Sequence, residues 1–301
     1  MPRSPAALLL LLAPLAGCDE RTVPIRVDDA LEPEFAAWFP ASPFRDDVRL
    51  PEASHSQPWQ PPAEGPVPVV EILRDGSWFV DGELVEGEGD ARREALVVRL
   101  RPLVVRMPKE RLAPDLDSGP RIPSNPALVR ADRDAPWSSL KDVIETCHGW
   151  RTQISRVELQ VGSPNPVKLH TLSVPMARDF GSVCADGGAW AWTWLLLEAG
   201  SDANPVQAGS QEAPSPLTFL LADYVKGQSD DRTRTERFDS AAQMVDRLRD
   251  SIQGLAWLEI AIDLPPEAPT WLAVAALDLG TQAGVVLWGF PPLPESPERT
   301  W

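Results

Sequence analysis

Basic residues, histidines, cysteines and long apolar runs are all scarce in this chain, and each shortage removes a class of function. Lysine and arginine total 28 against 44 aspartates and glutamates, a formal net charge of −16. A field of that sign repels nucleic acid and anionic head groups, so no nucleic-acid partner is expected. Only three histidines occur, His55, His148 and His170, and no spacing ties them into a metal site. No nucleophile-elbow motif accompanies them for Ser-His-Asp catalysis. His148 falls at the C-terminus of an expected helix, where a positive charge is stabilised. No stretch beyond the first twenty residues is apolar enough to span a bilayer. The expectation is a chain without catalytic residues, metal or cofactor.

What the chain does have starts at its first residues. Arg3 precedes an apolar run from Ala6 to Leu15, too short for a membrane span and arranged like an export signal. The run ends in Leu15-Ala16-Gly17-Cys18, which resembles the lipobox of bacterial lipoproteins. That resemblance implies cleavage after residue 17 and a diacylglycerol on Cys18, enough acyl chain for stable anchoring. The expected location is the cell envelope, lipid-anchored and facing the periplasm, at the inner or the outer membrane. Once Cys18 is assigned to lipid, Cys147 and Cys184 remain. In an oxidising compartment a Cys147–Cys184 bridge would be worth ~3 to ~4.7 kcal/mol in the chain-entropy model. The alternative is two free thiols, with Cys147 packed as a small hydrophobe on a helix.

The 33 prolines cluster in connections. Residues 18–66 are acidic and proline-rich and are expected as a semi-extended tether. Phe35, Trp38, Phe39 and Phe44 within it are costly to leave in water together. They are expected to dock on a folded domain or to bind a partner. A first domain is expected over 67–175. Asp75-Gly76 joins two apolar runs as a hairpin, and Asp81-Gly82 ends the second strand. A helix from Asp90 should stop or kink at Pro102, and 106–126 should form a surface loop. Ala127–Ala131 is a strand ending at Asp132. Asp134 is placed to cap a helix with Pro136 in its first turn and Trp137, Leu140, Val143, Ile144 and Cys147 as its buried stripe. A second domain is expected over 186–292. Its strand alternates Trp190, Trp192 and Trp194, and its helix opens with a Ser240-to-Gln243 capping box. A strand then ends at Asp263, with a proline-started helix after it. Residues 293–301 form a proline-rich tail.

Leu128–Asp132 with Ala135-Pro136-Trp137, and Ile260–Asp263 with Ala268-Pro269-Thr270, share one logic: strand, aspartate, short loop, proline-started helix. This is the pattern of an internal duplication. The unit resembles the periplasmic domain of the ExbD/TolR biopolymer-transport family through Val69–Val80, Asp90–Arg101, Leu128–Asp132, Pro136–His148 and Ile154–Val161. The resemblance implies an α+β fold of two-layer units, each a small mixed sheet with two helices. It also implies self-association or contact with an envelope protein or peptidoglycan, accessory to energy-coupled transport. In that family two copies pair, and a tandem duplication could supply the pair within one chain. The family's transmembrane helix with its proton-coupling aspartate has no counterpart here, so motor activity is not carried over.

Asp132 and Asp263 are the candidate partner or ligand contacts. The competing reading gives them turn and cap roles. Trp190, Trp192 and Trp194 share a strand face that could stack on sugars or pack in a core. The expected function is a non-catalytic, lipid-anchored envelope module. The alternative is a ligand-capturing lipoprotein or secreted hydrolase.

Overall fold

The computed structural model describes residues 44–111, 121–162, 168–175, 190–199, 217–225, 234–238, 240–252, 257–285 and 287–289. The fold is α+β, with two mixed sheets and a short two-stranded ribbon among the described residues. The first sheet is built from β2 (Val69–Ile72), β3 (Trp78–Val80) and β4 (Glu83–Val85), then α1 (Gly89–Arg106), β7 (Ala127–Ala131), α2 (Trp137–His148), β8 (Arg156–Val161) and β9 (His170–Pro175). A two-residue strand upstream, β1 (Gln57–Pro58), pairs with β9 at the edge. The strand order is β1-β9-β8-β7-β2-β3-β4. The ribbon is β5 (Lys109–Arg111) with β6 (Arg121–Pro123), where the proline content suggests only a loop.

The second sheet contains β10 (Trp190–Ala199), β11 (Leu217–Val225) and β12 (Arg234–Phe238), then α3 (Ala241–Ile252), β13 (Trp257–Asp263), α4 (Thr270–Ala283) and β14 (Leu287–Gly289). Its order is β12-β11-β10-β13-β14. The chain path matches that of β4-β3-β2-β7-β8. In each unit the first strand pairs antiparallel with the second and the second with the third. The first also pairs parallel with the fourth, and the fourth parallel with the fifth. Helices occupy the same two connections in both units.

Local chemistry accounts for most of these elements. Asp81 and Gly82 have φ of 48° and 83°, the left-handed pair that a two-residue hairpin turn requires, so the chain continues into β4 instead of leaving the sheet. Gly76 has φ of 81°, and a Cβ there would meet Ser139 Oγ at 3.0 Å. Helix α1 runs through Pro102 to Arg106 instead of stopping. Pro102 and Val98, whose carbonyl loses its donor, are both exposed, so water can satisfy that carbonyl. Helix α2 buries the expected stripe, and Ser240 Oγ accepts from Gln243 N at 3.3 Å at the start of α3. Helix α4 is buried on nearly all sides. That matches its apolar sequence and its place against α2, α3, β9 and β10. One contiguous apolar cluster runs from Val70 and Val129 through α2 to Met244, Leu248 and Leu272. Among the described residues no helix is long and apolar enough to cross a membrane.

Residues 44–59, expected as part of the tether, instead wrap the first sheet as a strap: its two ends cover the face opposite the helices, while its middle passes the ends of β7 and β8, touches α4 and joins the β9 edge. Phe44 and Trp59 are buried with Val69, Leu128 and Leu169 in a second, smaller core. Alternation along β2 and β7 makes this three-layer arrangement. Val70, Ile72, Val129 and Ala131 face the helices, while Val69, Glu71, Leu128 and Arg130 face the strap.

Candidate functional site: strap, clasp and edge cleft

Three features stand out: a strap on the first unit, a clasp between the two units, and a cleft at the sheet edge. The first is the strap, held by carboxylates that accept from its backbone. Glu71 Oε1 accepts from Arg45 N at 2.9 Å. Asp132 Oδ2 accepts from Arg49 N at 3.0 Å, and its Oδ1 from Asp134 N at 2.9 Å. The Arg49 carbonyl in turn accepts from Arg133 N at 2.7 Å. Asp278, an acid inside α4, accepts from Ser54 N at 3.0 Å and His55 N at 2.7 Å. Its Oδ2 also lies 3.3 Å from His55 Nδ1. Each carboxylate is almost fully buried, so its charge is met by aimed N–H donors instead of water. Beneath the strap Glu71 pairs with Arg130, both without solvent contact, and the Arg130 guanidinium stacks on the Phe44 ring at 4.3 Å. Burial pushes the Glu71 carboxyl above its ordinary range, while Arg130 and the Arg45 amide pull it back.

The second feature is a clasp between the two proline loops. Trp137 N donates to Ala268 O at 2.6 Å and Ser138 N to Pro266 O at 3.0 Å. Reciprocally, Thr270 N donates to Ala135 O at 2.8 Å and Trp271 N to Arg133 O at 3.0 Å. A single constant offset in residue number carries the first pair of bonds onto the second. Pro136 and Pro269 face each other as an antiparallel bridge at the centre. Helix starts leave their first N–H groups without intrahelical partners. Pro136 and Pro269 occupy the N-cap positions of α2 and α4 and supply no side-chain cap. Each loop therefore caps the other unit's helix with its carbonyls. Asp134, expected to cap α2, pairs with Arg49 instead.

The third feature is a cleft of about 390 Å³ at the β1–β9 edge. It is lined by His55 and Gln57 from the strap, Gln60 just after it, Glu158 from β8, Ser173 from β9 and Thr281 from α4, among others. Arg156 Nε and Glu158 Oε1, two residues apart on β8, pair on its wall at 2.8 Å. The volume lies at the low end for small-molecule sites, and the lining is polar.

The chain matches no protein-family model, no curated protein and no solved structure. The geometry therefore stands on its own for every site residue read from the sequence. Asp132 takes the turn-and-strap role described above and is 1% exposed. Asp263 ends β13 opposite Leu196, and its side chain lies outside the described residues. Cys18 and Cys184 also lie outside them. Cys147 is a fully buried free thiol on α2, pushed up to about 12 by burial. His148 does not carry the expected stabilised charge. Burial lowers it to about 4, and its Nε2 is enclosed without a hydrogen-bond partner among the described residues. The side chains of Trp190, Trp192 and Trp194 lie outside the described residues.

The sequence reading misses Glu71, Arg130, Asp278 and Arg49. A signal existed for three of them. Glu71 and Arg130 each interrupt an apolar strand run, and Asp278 interrupts an apolar helix. A charge in such a place has a buried partner. Arg49, in a proline-rich stretch, carried no such mark.

Proposed function

We propose that this chain is a non-catalytic, lipid-anchored envelope protein. Its two ExbD/TolR-like units pair within one polypeptide to form an interaction module for an envelope protein or peptidoglycan. The observation that carries the reading is the clasp: two units of the same chain path, joined by reciprocal backbone bonds between corresponding loops. That is the isologous contact of a two-fold dimer, here within a single chain. Both units descend, in this reading, from one duplicated ancestor. The Leu-Ala-Gly-Cys sequence supports the anchor, and the acidic composition suits a protein carried on a membrane but held off its anionic surface.

The test has two parts. Mass spectrometry of the chain from membranes of its native host should find Cys18 as a diacylated first residue. An unmodified Cys18 refutes the anchor. Crosslinking in intact cells should join the folded units to one envelope protein or to cell-wall fragments. Recovery of neither refutes the interaction module. The edge cleft favours one competing reading, capture of a small polar ligand, and saturable binding there with no macromolecular partner would establish it.

A further inference from the structure

Helix α1 has two apolar faces. Leu96, Val97, Leu100 and Val104 are buried in the core. Ala91, Ala95, Val98, Pro102 and Val105 follow one another at alternating spacings of four and three, the a/d spacing of a coiled-coil seam, on the opposite side of the helix. All but the half-buried Ala95 are exposed. Of the four large apolar side chains that are exposed among the described residues, two lie on this stripe: Val98, 59% exposed, and Val105, 70%. Helix α3 holds the corresponding place in the second unit. With Leu96, Val97 and Leu100 aligned on Met244, Val245 and Leu248, the residues in place of Ala95, Val98 and Pro102 are Gln243, Asp246 and Asp250, all exposed. The outer face of α3 is thus polar, so the apolar stripe belongs to α1 and not to the fold. Charge follows the stripe. Arg99 and Arg106 flank it on one side and Arg101 on the other, all exposed, on a chain of net charge −16. Glu83 holds Arg99, and Glu94, on the Arg101 side, is taken by Arg151. Arg101 and Arg106 are in no salt bridge among the described residues.

We propose that this face of α1 is the docking site for an acidic amphipathic helix of a partner protein, packed along the Ala91–Val105 seam with its carboxylates against Arg101 and Arg106. The inference rests on the reading of the chain as an interaction module, and it names the surface and the chemistry of the protein partner. A seam one a/d row wide, built from alanine, valine and proline, receives the apolar knobs of a single helix. A bilayer surface would call for a broader face with large apolar side chains. A second copy of this chain would set arginine against arginine. Arg99 and Arg106 would face their counterparts in an antiparallel pair, and Arg101 would face the other copy's Arg106 in a parallel one. Such like-charge contacts are costly, whereas carboxylates at the flanking positions of a partner helix complement both sides of the seam.

Photocrosslinking of the full-length chain in its native host tests this. Benzoylphenylalanine in place of Val98 or Val105 should form adducts with one envelope protein, and the joined peptide should map to an amphipathic helix with carboxylates beside its apolar stripe. The same probe in place of Asp246 on α3 should not join that protein. Arg101→Glu/Arg106→Glu should cut the adduct yield about tenfold or more, since like charges then face each other. The unfolding midpoint should stay unchanged, because both arginines are exposed. Lysines in place of the partner's facing carboxylates should restore the yield in that double variant. Adducts to lipid, to cell-wall fragments, to a second copy, or to Phe35, Trp38 or Phe39 of the same chain, which lie outside the described residues, overturn the proposal. So does the absence of adducts at both positions, or a yield indifferent to the arginine reversal. If the reversal lowers the midpoint, rescue by the partner's lysines decides. A partner recovered only through other surfaces of the chain leaves the interaction module standing and refutes this site alone.

Discussion

Glu71 and Arg130 show what a charge costs inside this sheet. Neither reaches solvent, and each is tolerated because the other is there and because Arg45 N and the Phe44 ring complete the surroundings. Arg130→Met should therefore destabilise the chain by about 3–5 kcal/mol, read as a lower denaturation midpoint, because it strands a carboxylate. Glu71→Leu combined with Arg130→Met should recover most of that loss, since apolar replacement of both partners avoids an uncompensated charge. A double variant as unstable as the single would place the cost elsewhere. His148 makes the opposite case, a group that stays neutral. Its folded value of about 4 lies below the ordinary value of 6.5, so the unfolded chain takes up the proton first. Stability should fall as pH drops from about 6.5 toward 4, by at most about 3 kcal/mol from this residue. His148→Gln should flatten that part of the pH–stability curve relative to the unaltered chain. Both features were only partly legible in the sequence. Charges amid apolar runs mark Glu71 and Arg130, but their pairing depends on β2 and β7 being neighbours, a long-range fact. His148 reads as a favourable cation from helix position alone, because its enclosure against β9 comes from tertiary packing.

At the scale of elements, the hairpins, the α2 stripe and the α3 cap were readable because turn chemistry and periodicity are local signals. Strand β4 was missed although Asp81-Gly82 announced its turn, and α1 passes Pro102 because the freed carbonyl faces water. The strap was the larger surprise. Its proline content forbids a helix or a central strand, and both remain absent from residues 44–59. Nothing local reveals that buried carboxylates wait to receive its backbone. The clasp is the element-level feature with the clearest consequence. Thr270 donates to Ala135 O through both its N–H and its Oγ1, at 2.8 and 3.0 Å. Thr270→Val removes only the hydroxyl bond and should cost about 1 kcal/mol. Thr270→Pro removes both donors at a helix position where proline is otherwise well tolerated, and should cost about 2–3 kcal/mol. Equal, negligible effects of the two substitutions on the unfolding midpoint would show that the clasp contributes nothing.

At the scale of the whole molecule, the account holds that two units of one topology are a single body because corresponding loops cap each other's helices. Pro136 and Pro269 sit at the centre of that arrangement, flanked by the bonds Trp137 N to Ala268 O and Thr270 N to Ala135 O. That is a non-hydrogen-bonded antiparallel pair, whose Cα atoms lie ~4.5 Å apart. Such a separation falls within the range that a disulfide spans without backbone movement. The most direct measurement is therefore oxidation of the full-length Pro136→Cys/Pro269→Cys variant at low concentration, followed by peptide mass mapping. The account predicts near-complete linkage of residue 136 to residue 269 within one chain. Linkage only between chains, or none while both thiols stay reactive, would contradict it.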